Sequence, residues 1–246
     1  MFTRLFSVEL LKMKRSNYWL LVIIGPVIGV SLGLWNFFQN IDVFIVSKDD
    51  NGWLEAWTQV ELFYSSLIYP ILVGVFAALV CRSEHTGRGW KMLLALPVTR
   101  SKVYMSKLVL IILLVAWTQM CLLIFYLCLG WILSIPGTIP WRLLLGFIAK
   151  GWLATLPLAA IQLILSIKWS SFSIPIAINI ILTLPVLLAV NSSYGQFYPW
   201  AQPALAMSPP DETPIQSLSV FYTVILITFS ISIISGLIKF NKSDMT

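Results

Sequence analysis

The residues that could do conventional enzyme chemistry are few, and their spacing argues against it. The sequence has one histidine, three cysteines and ten Asp or Glu residues. His85 has only Glu84 beside it, so a metal site there would need distant ligands; a solvated loop histidine is the plainer reading. There is no His-Glu-x-x-His, and no paired intramembrane carboxylate of the kind a membrane protease uses. Gly87-Arg-Gly89 lacks the Lys and the Ser or Thr of a phosphate loop, so the chain has no recognisable means of binding ATP. Cys81, Cys121 and Cys128 lie in or beside apolar runs, at neither metal-ligand nor disulfide-framework spacing, and read as packing residues.

Glu9 is the first charged group that calls for an explanation. Across residues 1–15, Phe2, Leu5, Phe6, Leu10 and Met13 fall on one helical arc, with Arg4, Ser7, Lys14 and Arg15 opposite. That is an amphipathic helix with a basic face, suited to lie in a membrane interface. Glu9 projects into the apolar arc, where a carboxylate is costly unless paired. Lys12, one turn on, is a candidate partner. Glu9 either snorkels at the rim or faces another protein subunit.

Residues 82–107 form the second candidate. Gly87 and Gly89 break the chain after an apolar run. Trp90 to Leu96 then makes about two helical turns, with Trp90, Leu93 and Leu94 on one face and Lys91 near its edge. Pro97 ends this helix, and Thr99 or Ser101 can cap the next. A short helix held crosswise beneath a membrane is a natural socket for a soluble partner.

The elements that position these residues are apolar. The 246-residue chain is 59% hydrophobic and 11% charged, with a net charge of +6 and a mean hydropathy of +0.88. A soluble domain would carry about twice that charge. A nucleic-acid partner, which a basic soluble protein would suggest, gives way to basic loops that orient membrane spans. Each span needs about 20 apolar residues, and six are expected: Tyr18–Phe38, Val60–Cys81, Leu108–Leu133, Leu143–Ile167, Ile174–Val190 and Leu218–Lys239. The fourth contains Lys150 and Pro157, and an interfacial helix over 141–150 followed by a shorter span from Gly151 is an alternative. Of the 16 basic residues, 13 fall on the side of the two termini, which places both termini in the cytoplasm.

The opposite side is acidic and aromatic. Asp49, Asp50, Trp53, Glu55, Trp57, Tyr198 and Trp200 are expected to form an outer surface able to face a substrate, although aromatic residues also populate ordinary interfacial belts. The proline-rich stretch 191–217 cannot be regular helix throughout, and short interfacial or re-entrant pieces are expected there. Within spans, Gln119, Gln162 and Asn179 read as polar glue between helices. Lys150 is either a functional intramembrane charge or a snorkelling one.

The inner elements resemble those of ABC-2 type permeases. The family's N-terminal Glu followed by basic residues corresponds to Glu9-Leu-Leu-Lys12-Met-Lys14-Arg15. Its pattern after the second span corresponds to Glu84, Gly87, Met92–Leu96, Pro97, Thr99-Arg100 and Lys107. The Tyr198-Pro-Trp-Ala-Gln-Pro203 stretch is similar to one in lantibiotic-immunity permeases of Gram-positive bacteria.

The resemblance implies an all-α integral membrane protein, a single permease domain over 1–246. It would have six transmembrane helices, an N-terminal interfacial helix and a cytoplasmic coupling helix between spans two and three. It implies a non-enzymatic transport subunit in the plasma membrane, paired with a like or unlike permease and two ATPase subunits that hold ATP and Mg, and exporting a hydrophobic or cationic peptide. Glu84, Trp90, Leu93, Leu94, Pro97 and Arg100 would contact the ATPase, with Glu9 and Lys12 bracing them. A secondary transporter, or a scaffold or sensor without transport, remains open on the residues alone. The first would want inverted repeats and buried charges along a pathway, which are not evident beyond Lys150.

Overall fold

The computed structural model describes residues 2–14, 18–47, 50–86, 89–95 and 97–242. The fold is all helical, 82% helix, with no strand among the described residues. Helix α1 is Phe2–Lys14, α2 Tyr18–Gln39, α3 Gly52–His85, α4 Gly89–Ala95 and α5 Arg100–Ile132. Helix α6 is Trp141–Lys168, α7 Ser173–Ala189, α8 Gln202–Met207 and α9 Leu218–Lys242. Five of these, α2, α3, α5, α6 and α9, are long and apolar enough to cross a membrane.

Helix α2 packs against α3 through glycines at every fourth position, Gly25, Gly29 and Gly33. This small-residue stripe lets two backbones approach closely. A Cβ built on Gly33 would lie 2.4 Å from the Cα of Val60, and one on Gly29 would lie 2.8 Å from the Tyr64 ring.

Helix α3 starts earlier than the expected Val60, at Gly52. Asn51 caps it, accepting from the backbone N–H of Trp53 at 3.1 Å. The cause of the early start is a buried stripe one turn apart: Trp53, Trp57, Val60 and Tyr64 are each at most 3% exposed. At Tyr64–Ile68 the helix widens into a π turn directly before Pro70. Proline has no N–H to continue the α-helical ladder, and the wider turn absorbs the missing bond.

Helix α6 runs from Trp141 to Lys168 but breaks at Thr155, immediately ahead of Pro157. This break lies beyond the expected junction near Gly151, and Lys150 sits half-buried on the first segment. Helix α7 is short at 17 residues, its turns interrupted at Pro185. The fifth expected span therefore lies at the short end of the lengths that cross a bilayer.

The stretch 191–217 enters the bundle. All of α8 is buried, packed on α6 and the π turn of α3. The Trp57 indole donates to the Met207 carbonyl at 3.0 Å, and Gln119, halfway along α5, donates to the Met207 sulfur at 3.3 Å. Asn179 holds this insertion from the other side. Its oxygen accepts from Gln162 at 2.7 Å and from the Trp200 indole at 2.8 Å, while its nitrogen donates to the Pro70 carbonyl at 2.8 Å. Polar groups deprived of water must find one another, and here they tie α3, α6, α7 and the inserted segment together.

Candidate functional site

Four charged side chains converge at the end of the bundle where α1, α3, α4 and α5 meet. Glu9 and Lys12 come from α1, Glu84 from the last turn of α3, and Lys107 from the third turn of α5. Lys107 is fully buried; its Nζ lies 3.2 and 3.3 Å from the two oxygens of Glu9, 3.0 Å from Glu84 Oε2 and 3.0 Å from the Val80 carbonyl. Those partners exhaust the three donors of an ammonium group. Lys12 Nζ closes the set, 3.2 Å from Glu9 Oε1 and 2.5 Å from Glu84 Oε1. The carboxylate of Glu84 also accepts from the Ser83 hydroxyl at 2.8 Å.

The cluster is charge-neutral, two carboxylates against two ammonium groups. Desolvation is costly for each charge, but the geometry satisfies every one, and removal of any member would strand its partners. Glu9 accordingly faces its own chain: it is 4% exposed, and its partners are Lys107 and Lys12. The apolar arc of α1 is interrupted by a carboxylate where α1 lies over the start of α5.

Trp90 links the cluster to α4. Its ring lies 5.6 Å from Lys107 Nζ, a cation–π distance. Its indole N–H donates to His85 Nδ1 at 3.2 Å, which leaves His85 Nε2 to donate to the Ser166 carbonyl on α6 at 2.7 Å. This fixes one neutral tautomer of His85. Trp90 also meets the Phe240 ring edge-on at 5.5 Å, and Phe240 lies near the end of α9. Arg100, at the start of α5, donates to the carbonyls of Phe240 and Asn241 at 3.3 and 3.2 Å. A guanidinium there satisfies carbonyls left open by a helix end and complements its dipole. The ends of α1, α3, α4, α5, α6 and α9 are thus joined through one connected set of side chains.

Six residues were expected at a partner contact, and the structure divides them. Glu84 and Trp90 are buried, 3% and 6% exposed, and act inside the chain. Leu93 and Arg100 are half-buried, and Pro97 is exposed. The Leu94 side chain lies outside the described residues. The outward face of α4 instead carries Lys91, Met92 and Ala95, all exposed, with Met92 at 70%. Helical geometry accounts for the split, since Trp90 and Leu93 are three residues apart on the inward face. Lys107 was legible only as a basic residue at the mouth of a span; its signal was a charge followed by an unbroken apolar run.

The expected outer surface fares differently. Trp53 and Trp57 are buried, 3% and 0% exposed. Trp57 stacks on Phe147 at 5.5 Å, and Tyr126 meets both tryptophans edge-on while its hydroxyl donates to the Trp53 carbonyl. The Tyr198 hydroxyl donates to the Leu182 carbonyl, and Trp200 is held by Asn179. The three tryptophans build the bundle instead of lining its surface, and Tyr198 is half-buried. Of the carboxylates, Asp50 accepts from the backbone N–H groups of Val46 and Ser47 and is half-buried, as is Glu55; Asp49 lies outside the described residues. Glu55 lies within the fields of Asp50 and Glu212. Partial burial and the neighbouring Asp211 hold the Glu212 carboxyl above the usual carboxylate range. Glu61, which the sequence places with the acidic residues of the outer boundary, is a buried carboxylate on α3 that accepts from the Ser65 hydroxyl at 2.8 Å.

A family model described as ABC-2 family transporter protein matches residues 5–186, a range that holds all four charged residues of the cluster together with α4. No curated protein and no solved structure matches the chain.

Proposed function

This chain belongs to the ABC-2 transporter family, and from that premise we propose that it is the coupling-competent permease of an ATP-driven peptide exporter. It is a multi-pass membrane protein and the transport subunit, with ATP hydrolysis carried out by a separate chain. The finer reading has six spans, with the short α7 as the fifth, both termini in the cytoplasm, and α4 as the coupling helix. Two ATPase subunits holding ATP and Mg would dock beneath a pair of permeases, like or unlike.

The observation that carries this reading is the pairing of an inward and an outward face on α4. Inward, Trp90 is wired to Lys107, His85 and Phe240. Outward, Lys91, Met92 and Ala95 are open to a partner. A push on the outward face reaches α1, α3, α5 and α9 through contacts that are already closed. Rigid, fully satisfied polar networks transmit displacement because they have few alternative arrangements.

The cargo we propose is a hydrophobic or cationic antimicrobial peptide, expelled from the plasma membrane of a Gram-positive producer as self-immunity. Its support is the acidic character of the end opposite the cluster, where Asp50, Glu55 and Glu212 share one field, which would draw a cationic ligand. Trp53, Trp57 and Trp200, being buried, give no support to a stacking surface.

The test is reconstitution with the ATPase. Export of a cationic lantibiotic from proteoliposomes should require ATP and should fall when Asp50, Glu55 and Glu212 are replaced by Asn and Gln. ATP-independent movement would identify a secondary transporter, and no movement with any peptide would identify a scaffold.

A further inference from the structure

A cleft of about 960 Å³ opens between α4, the end of α6 and the end of α9, beside the charged cluster but outside it. Its rim carries Lys91, Lys168, Lys239 and Lys242, all exposed. None of the four is in a salt bridge among the described residues. The one carboxylate in the lining, Glu84, already has Lys12 and Lys107 for partners. Among the described residues the cleft therefore presents four lysines without a carboxylate partner, Lys168 resting 4.5 Å from the Trp169 ring.

Its walls are of a different character. Ile164 and Leu165 on α6 and Ile238 on α9 provide an apolar side. Tyr104, fully buried, lines the cleft, and its hydroxyl has no hydrogen-bond partner among the described residues. An orphaned buried hydroxyl costs free energy that a bound acceptor would recover. Phosphate oxygens are such acceptors, and the lysine rim supplies their counter-charge.

We propose that this cleft binds the headgroup of an anionic glycerophospholipid, its phosphate among Lys168, Lys239 and Lys242 and its acyl chains along the apolar flank of α6 and α9. The basic residues lie at the helix ends, where a bilayer places its headgroups, and basic pockets between spans on the cytoplasmic side are suited to anionic lipid. The apolar wall separates a lipid from a free anion, which would gain nothing from Ile164, Leu165 or Ile238. The site stands independently of what the protein transports. Because α4 and α9 both border the cleft, a bound lipid would brace the coupling helix against the last span.

The experiment is native mass spectrometry of the full chain purified in detergent and titrated with phosphatidylglycerol, phosphatidylcholine or inorganic phosphate. One phosphatidylglycerol should bind at least about tenfold more tightly than phosphatidylcholine, an attraction on the scale that several juxtamembrane lysines provide. Millimolar phosphate should not displace it. Replacing Lys168, Lys239 and Lys242 together with Gln should abolish the preference, and Tyr104→Phe should weaken binding about threefold, as loss of one hydrogen bond does. Lys150→Gln, outside the cleft, should change neither. Equal affinity for the two lipids, displacement by phosphate, or a preference that survives the triple replacement would each overturn the proposal. Loss of lipid with an unchanged melting profile cannot be ascribed to unfolding.

Discussion

Glu9 and Lys107 lie 98 residues apart in the chain, yet the ammonium group of one sits 3.2 Å from the carboxylate of the other, both buried. This pair pins an interfacial helix to the start of a membrane span. Through Glu84 and Trp90 it also joins that span to the short helix α4. A neutral cluster built from three separate elements is stable only while all its members are present, and that makes it directly testable.

Lys107→Met leaves Glu9 and Glu84 buried with Lys12 as their sole ionic partner. Removing one member of a buried ion pair costs about 3–5 kcal/mol, so the melting temperature of the detergent-solubilised protein should fall sharply. Glu9→Gln combined with Lys107→Met should cost less than the sum of the single changes, with a coupling of about 1–3 kcal/mol. Strict additivity in that cycle would show that the two groups do not interact.

The two faces of α4 should separate stability from partner binding. Trp90→Ala removes a buried indole and its contacts to Lys107, His85 and Phe240, a loss of about 3–5 kcal/mol. Met92→Asp changes a side chain that is 70% exposed and should shift stability by less than about 0.5 kcal/mol, while capture of the ATPase subunit is lost. Co-purification of the ATPase with Met92→Asp at wild-type yield would remove Met92 from the contact.

Gly33→Leu should separate α2 from α3. Even a Cβ at this position meets the Val60 backbone at 2.4 Å, and backbone cannot be moved aside as a flexible side chain can. Overpacking of this kind costs about 1–3 kcal/mol or more. Gly146, whose added Cβ would meet nothing within 4 Å, is the control: Gly146→Ala should be neutral or stabilising, as expected for a helix interior. Comparable melting temperatures for the two variants would contradict the close packing.

Asn179→Leu should loosen the inserted segment. The Trp200 indole and the Gln162 amide would both lose their acceptor, at about 0.6–1.7 kcal/mol for a hydrogen bond within a membrane protein. Limited proteolysis in the 208–217 stretch should quicken while the overall fold persists. Unchanged cleavage would mean that α8 is held by packing alone.

How much of this was legible in the sequence depends on whether the cause is local. The apolar run of α2 was placed to within one residue, because length and hydropathy alone define it. The start of α3 was missed because Trp53, Glu55 and Trp57 were assigned to an outer surface; the spacing of Trp53 and Trp57, continued at Val60 and Tyr64, was the overlooked helical signal. The need of Glu9 for a partner was readable from its place in an apolar arc, and Lys12 was found. Lys107 was not assigned, since no periodicity connects α1 to a helix some 90 residues later. The burial of Trp200 was likewise set by Asn179 across the fold. The inward orientation of Trp90 follows from Phe240, at the far end of the chain.

The central claim is that the outward face of α4 receives force from a separate ATPase. The most direct measurement is thiol labelling of Met92→Cys, with Cys121 and Cys128 changed to Ser, in the purified permease with and without its ATPase. The account predicts rapid modification of the permease alone, strong protection in the assembly, and cross-linking of the introduced thiol to the ATPase chain. Equal labelling in both preparations, with no cross-link formed, would contradict it.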